Sequence, residues 1–140
     1  GDNTSIGDNC IITAYYALDR DPKLIIGNQC NIGPFNHITC TNEVVIGDGL
    51  LTGRWVTITD NSHGNNTIEE IYLPPWKRPL TSKGSVIIGK NVWIGDKATI
   101  LPGVIIGDGV IIGANSVVTK NVPSNCIVCG NPVKIVKQIN

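Results

Sequence analysis

The chain has 140 residues, and its 11 Lys and Arg balance 11 Asp and Glu, so its formal charge is zero. That length suits one domain, residues 1–140, and neutrality removes the general attraction on which nucleic acid or an anionic membrane surface depends. With 41% apolar and 16% charged residues the chain can bury a core, and no apolar run approaches the roughly 18 residues needed to span a bilayer. No charged segment followed by an apolar stretch opens the chain as a secretory signal would. The five cysteines, Cys10, Cys30, Cys40, Cys126 and Cys129, are odd in number and irregular in spacing. They argue against a secreted disulfide framework and for a reducing cytoplasm. Sixteen Gly beside a single Phe point to a core that aromatic packing does not build.

The organising signal is a period of six. Leading positions fall at Ile6, Ile12, Leu18, Ile26, Ile32, Ile38, Ile46, Thr52, Ile58, Ile88, Ile94, Ile100, Ile106, Ile112 and Val118. Fourteen of the fifteen are Ile, Leu or Val, and nine are followed by Gly (7, 27, 33, 47, 53, 89, 95, 107 and 113), as tight corners would demand. Spacing six fits neither a helix, with its period of 3.6, nor a hairpin meander. It fits a repeat in which each hexad is one short strand and one corner, three hexads making a triangular coil. The expected fold is therefore all-β: a parallel β-helix of about five coils, roughly 24 Å tall at about 4.8 Å per stacked strand.

Departures from the period sit at one place in each coil. The steps from Leu18 to Ile26 and from Ile38 to Ile46 are 8, and the step from Ile58 to Ile88 is 30. Insertions of 2, 2 and 24 residues are thus expected from a single edge. The long one, about 61–85, carries Glu69, Glu70, Tyr72, Trp76, Lys77 and Arg78, and loops of this length concentrate function. Gly1 stands at the second position of a hexad, so the chain begins inside the pattern. Periodicity is expected to stop near Pro123, with residues 123–140 turning at Gly130-Asn131-Pro132 to cap the last coil, a need common to solenoids.

The hexads, together with Val92-Trp93-Ile94-Gly95, Leu101-Pro102-Gly103, Ile112-Gly113-Ala114, Val118-Thr119-Lys120 and Gly130-Asn131-Pro132, resemble the hexapeptide-repeat acyltransferases. The likeness is greatest to the galactoside and maltose O-acetyltransferases and their polysaccharide O-acetyltransferase relatives, and it covers nearly the whole chain. The resemblance implies a left-handed helix, although the general rule for crossovers favours the right hand. It also implies a homotrimer with sites between subunits and an acetyl-coenzyme A donor.

Two histidines are present, His37 and His63. His63 ends the Ile58 hexad at the root of the long loop, and a neutral imidazole can take a proton from an attacking hydroxyl near pH 7. The plain alternative is a solvated loop histidine; the resemblance makes His63 the general base. His37 ends a hexad one coil earlier at a different corner, shows no chemical partner in the sequence, and is read as structural or acceptor-lining. Asp60 could orient His63 or meet a sugar hydroxyl, against the simpler role of a turn residue. The galactoside and maltose enzymes place Asn where this chain has Gly33, which leaves Asn36 or a backbone N–H to stabilise the oxyanion. Trp55 and Trp76 either offer aromatic faces to an acceptor or cover exposed apolar surface, and Trp93 should point outward.

From Asn115 to Asn140 there is no acidic residue, while Lys120, Lys134 and Lys137 are present. This basic end suits the phosphates of coenzyme A. By resemblance Ala114, Thr119, Lys120, Lys134 and Lys137 line the coenzyme, with Asp96 near its pantetheine arm. No metal is expected: Cys126 and Cys129 lack a second ligand pair. Cys10 and Cys30 are read as stacked one coil apart.

The leading expectation is acetyl transfer from acetyl-coenzyme A to a hydroxyl of a sugar or polysaccharide precursor. The alternatives are N-acetylation of an amino sugar and a non-catalytic scaffold. A γ-type carbonic anhydrase, which needs three histidines on zinc, is disfavoured by a chain holding two.

Overall fold

The computed structural model describes residues 1–140. Strands of two to six residues pair with the strand one turn later rather than with their chain neighbour, and this winds the chain into a three-faced prism. Face 1 stacks Ser5–Ile6, Asn31–Ile32, Leu51–Thr52, Trp93–Ile94, Ile111–Ile112 and Cys126–Gly130. Face 2 stacks Ile11–Ala14, His37–Cys40, Thr57–Thr59, Thr99–Ile100 and Val117–Val118, and face 3 stacks Lys23–Ile26, Glu43–Ile46, Val86–Ile88 and Ile105–Ile106. All these pairings are parallel, as expected of a β-helix.

The leading residues lie in register and point inward. On face 2, Ile12, Ile38, Ile58, Ile100 and Val118 form one column; on face 3, Ile26, Ile46, Ile88 and Ile106 form another. Residues two places before a leading position also turn in, among them Leu50, Val56, Val92, Ala98, Val104 and Val110. Like side chains repeated along one axis nest at near-crystalline density. The resulting cluster of 23 buried apolar residues contains no aromatic side chain.

Two expectations need correction. Leu18 opens no strand, and face 3 begins with Ile26, so the first insertion spans eight residues beyond a six-residue step rather than two. All the insertions nevertheless leave the corner between faces 2 and 3. Because the first coil is longer than a six-residue count suggests, Cys10 precedes a face 2 strand and Cys30 a face 1 strand; they do not stack, and their thiols meet the carbonyls of Gly33 and Gly47 respectively. The six-residue period does end near Pro123, since Val122 bridges Ile106 only four residues after Val118, but the winding continues past it and Cys126–Gly130 extends face 1. The terminal strand Val133–Gln138 then folds back antiparallel as the seventh strand of that face.

The corners divide two tasks between two positions. The residue three places after a leading position takes a left-handed conformation, as at Asn9, Gln29, Asn91, Gly109 and Asn125. The glycine directly after the leading position is needed for proximity instead. A Cβ on Gly47 would lie 2.8 Å from the carbonyl carbon of Gly89 in the next coil, backbone against backbone, with no side chain able to yield.

The long insertion starts as a two-stranded ribbon, Ser62–His63 against Leu80–Thr81, with His63 opposite Leu80. Beyond it come a one-turn helix, Ile68–Ile71, capped by the Thr67 hydroxyl, and a 3₁₀ turn, Pro75–Lys77. Gly47→Val should lower stability by about 1–3 kcal/mol, the usual cost of overpacking a rigid site. Thermal unfolding of the variant measures this, and an unchanged melting temperature would contradict the close-approach account.

Candidate active site

Beneath the excursion a cleft of about 450 Å³ opens on face 2, lined by Tyr15, Tyr16, Ala17, His37, Thr39, Asn61, His63 and Leu80. His63 is exposed and held by the ribbon, where its strand pairs with Leu80. His37 points outward from the face 2 strand beside Thr57. The two imidazoles thus line one cleft, although the sequence sets them at different corners. The ribbon brings them together: His37 stands on face 2 one coil before Thr57, and the antiparallel pair that carries His63 lies over that face. Tyr15 and Tyr16 arrive from the first insertion, which the sequence undercounted; they add two aromatic walls that pattern reading missed. Asn61 is fixed at the floor, donating from Nδ2 to the Thr39 hydroxyl at 2.6 Å and to Asp60 at 3.0 Å.

Asp60 does not reach His63. Fully buried, its carboxylate accepts from the backbone N–H of Thr41 at 2.9 Å and of Asn42 at 2.8 Å, and from the Thr41 hydroxyl at 3.3 Å. It therefore secures the start of the turn that carries His63 by satisfying donors from the coil before. Asn36 is also internal, donating to the Gly33 carbonyl and the Thr52 hydroxyl, both at 2.7 Å, and to the Gly53 carbonyl at 3.0 Å. The Gly33 N–H is itself engaged with the Thr52 hydroxyl. Asn36 and the Gly33 N–H are therefore both engaged within this chain. Trp76 stands apart from the cleft at the tip of the excursion, with the Lys77 ammonium 5.2 Å from its ring.

The residues expected to line the coenzyme fall into two groups. Asp96 and Ala114 are exposed at the corner between faces 1 and 2; Asp96 accepts from the Arg54 N–H at 3.0 Å. Thr119 and Lys120 are exposed at the corner between faces 2 and 3, the corner from which His63 also emerges. Lys120 meets Lys134 in a groove of about 150 Å³ with Pro123, Val128, Val133 and Ile135. Two ammonium groups over an apolar floor fit an anionic group attached to a less polar one. Lys137 lies further along the terminal strand, outside that lining. Trp93 is 51% exposed on face 1, as expected. No three His, Cys, Asp or Glu side chains converge as a metal site would require, and no helix is long and apolar enough to cross a membrane.

A prism of stacked hexads with a long excursion at one corner is a parallel β-helix of the hexapeptide-repeat class. The sequence profile described as bacterial transferase hexapeptide (six repeats) matches residues 85–120. WbbJ of Escherichia coli K12, named for lipopolysaccharide biosynthesis O-acetyl transfer, is 38% identical over 97% of this chain and 72% of its own length. The galactoside O-acetyltransferase of Escherichia coli K12 is 37% identical over 69% of this chain and 45% of its own length. A solved galactoside acetyltransferase in complex with coenzyme A superposes with a TM-score of 0.71 at 28% identity, covering 99% of this chain and 66% of that one. The chain belongs to the hexapeptide-repeat acetyltransferases, and its prism is the left-handed β-helix of that enzyme family.

Asp60→Ala strands the buried N–H of Thr41 and the half-buried N–H of Asn42, at roughly 1–3 kcal/mol for a fully buried donor, and should cost at least about 2 kcal/mol in denaturant unfolding; an unperturbed variant would show that the carboxylate is not needed by the turn. Burial, reinforced by the Asp60 charge, pushes the Cys40 thiol up to about 11, so it stays protonated at pH 8. Exposed Cys129 is therefore expected to react first with a thiol reagent, and Cys40 only on unfolding. Rapid modification persisting in Cys129→Ser would reverse that assignment.

Proposed function

We propose that the protein transfers acetyl from acetyl-coenzyme A to a hydroxyl of a saccharide, with His63 as general base. The observation that carries this reading is the position of His63: exposed, fixed by a paired strand, and opening on a cleft large enough for a sugar. The His63 imidazole takes the proton of the acceptor hydroxyl as its oxygen attacks the thioester carbonyl. The tetrahedral intermediate then collapses with cleavage of the C–S bond, and the imidazolium returns the proton to the departing thiolate of coenzyme A. His37, in the same cleft, is placed to bind the acceptor.

The donor lies along Asp96, Ala114, Thr119 and Lys120, with its phosphates at Lys120 and Lys134 and with Lys137 adding to the positive field. This set supports a homotrimer with sites between subunits. Asp96 and Ala114 occupy one edge of face 2, Thr119, Lys120 and His63 the other, so the set closes around one coenzyme when the first edge of one copy meets the second edge of another. Cyclic symmetry repeats that contact three times.

Calorimetric titration with coenzyme A and acetyl-coenzyme A tests the donor whichever acceptor the enzyme uses. Saturable micromolar binding near one site per chain is expected; a folded protein that binds neither would overturn the acetyl-transfer reading. Lys134→Ala should weaken coenzyme A about threefold to tenfold, with a smaller dependence on salt than the parent. His63→Ala should lower turnover by at least about 10²-fold while coenzyme A affinity stays within twofold, and retained turnover would remove His63 as the base.

A further inference from the structure

The corner between faces 1 and 2 carries a column of five left-handed turn residues: Asn9, Phe35, Trp55, Lys97 and Asn115, with φ between 57° and 60°. Asparagine tolerates this conformation; for a bulky side chain it is an outlier. Two successive coils nevertheless place aromatics there. Their rings stack 4.5 Å apart and 10° from parallel, and Phe35 remains 36% exposed and Trp55 56%. Burial in this chain does not account for the pair, since most of the Trp55 surface faces solvent. Unfavourable backbone geometry held by exposed side chains is a mark of functional sites.

Position supplies the function. Trp55 follows Arg54, whose N–H donates to Asp96, and the Arg54 carbonyl accepts from Lys97 in the next coil. The aromatic pair therefore continues the edge formed by Ala114 and Asp96, one and two coils beyond Asp96. Trp55 and His63 belong to the same coil, at its two opposite edges. In an assembly about an axis parallel to the prism, each coil stays level with its counterpart, so Trp55 of one copy stands at the height of the next copy's base.

Resting on the acetyl-transfer reading above, we propose that the Phe35–Trp55 stack is a binding platform for a pyranose ring of the acceptor, presented by one copy to the His63 of its neighbour. A pyranose combines an apolar face of C–H groups with a rim of hydroxyls. The face matches an exposed indole, and Arg54, the exposed residue before Trp55 in the chain, carries guanidinium donors suited to the rim.

The test exploits the column itself. Trp55→Asn and Phe35→Asn install the residue that Asn9 and Asn115 already place at equivalent turns, so folding should be preserved. Coenzyme A release is measured with acetyl-coenzyme A and a panel of methyl β-galactoside, methyl α-glucoside, maltose and methyl N-acetyl-β-glucosaminide. Alongside it, coenzyme A affinity is measured by calorimetry and assembly by light scattering. The expected result is an acceptor KM raised at least tenfold in Trp55→Asn, with coenzyme A affinity within twofold and the oligomeric state of the parent. An unchanged KM overturns the platform. Weakened coenzyme A binding overturns it by assigning the rings to the donor, and loss of assembly overturns it by assigning them to a subunit contact. A parent protein that turns over with none of the saccharides overturns the acceptor class itself, and with it the platform, whatever the variants do.

Discussion

The structure depends on how closely one coil can approach the next. Parallel pairing sets the strands of neighbouring coils about 4.8 Å apart, and at the corners that follow faces 1 and 3 two backbones pass with nothing between them. Gly47 over Gly89 shows the limit: a single methyl group would already lie 2.8 Å from the carbonyl carbon above it. Once the corners close to this distance, every inward side chain must meet its own equivalent one turn away. That is why Ile and Val fill the columns and why no aromatic ring enters the core.

A scaffold so constrained inside leaves its corners as the place where sequence can vary. The insertions leave by the edge between faces 2 and 3, where they lengthen a turn without breaking a ladder. Two of them meet over face 2: the first insertion brings Tyr15 and Tyr16, and the long one brings His63 and Leu80. The rigid part does the positioning. Thr39 holds Asn61, and buried Asp60 ties the start of the excursion to Thr41 and Asn42 of the preceding coil. Side chains on a loop thereby gain the precision of side chains on a strand.

Much of the architecture is legible in the residues alone. The period of six contains the fold, because a helix, a hairpin and a solenoid impose different spacings and only one fits. The place of His63 is legible as well, since it lies where the longest insertion begins. Asn36 and Asp60 mislead for one reason: a polar residue near a corner reads the same whether it turns outward to a ligand or inward to unpaired backbone groups. Both turn inward, where burial demands that they be satisfied. The proximity of His37 is hidden for another reason: the ribbon of the long insertion sets His63 over a surface that belongs to an earlier coil.

The sequence by itself determined the repeat, the aliphatic columns, the edge that carries the insertions and the basic terminal segment, since each is a local or periodic property of residue type. Tertiary structure decided the rest. The length of the first coil, the meeting of His37 with His63, the inward turn of Asn36 and Asp60, and the stacking of Phe35 on Trp55 all depend on which coil lies against which. That register is set by parallel pairing between strands some 16 to 42 residues apart, a distance over which no local preference reaches.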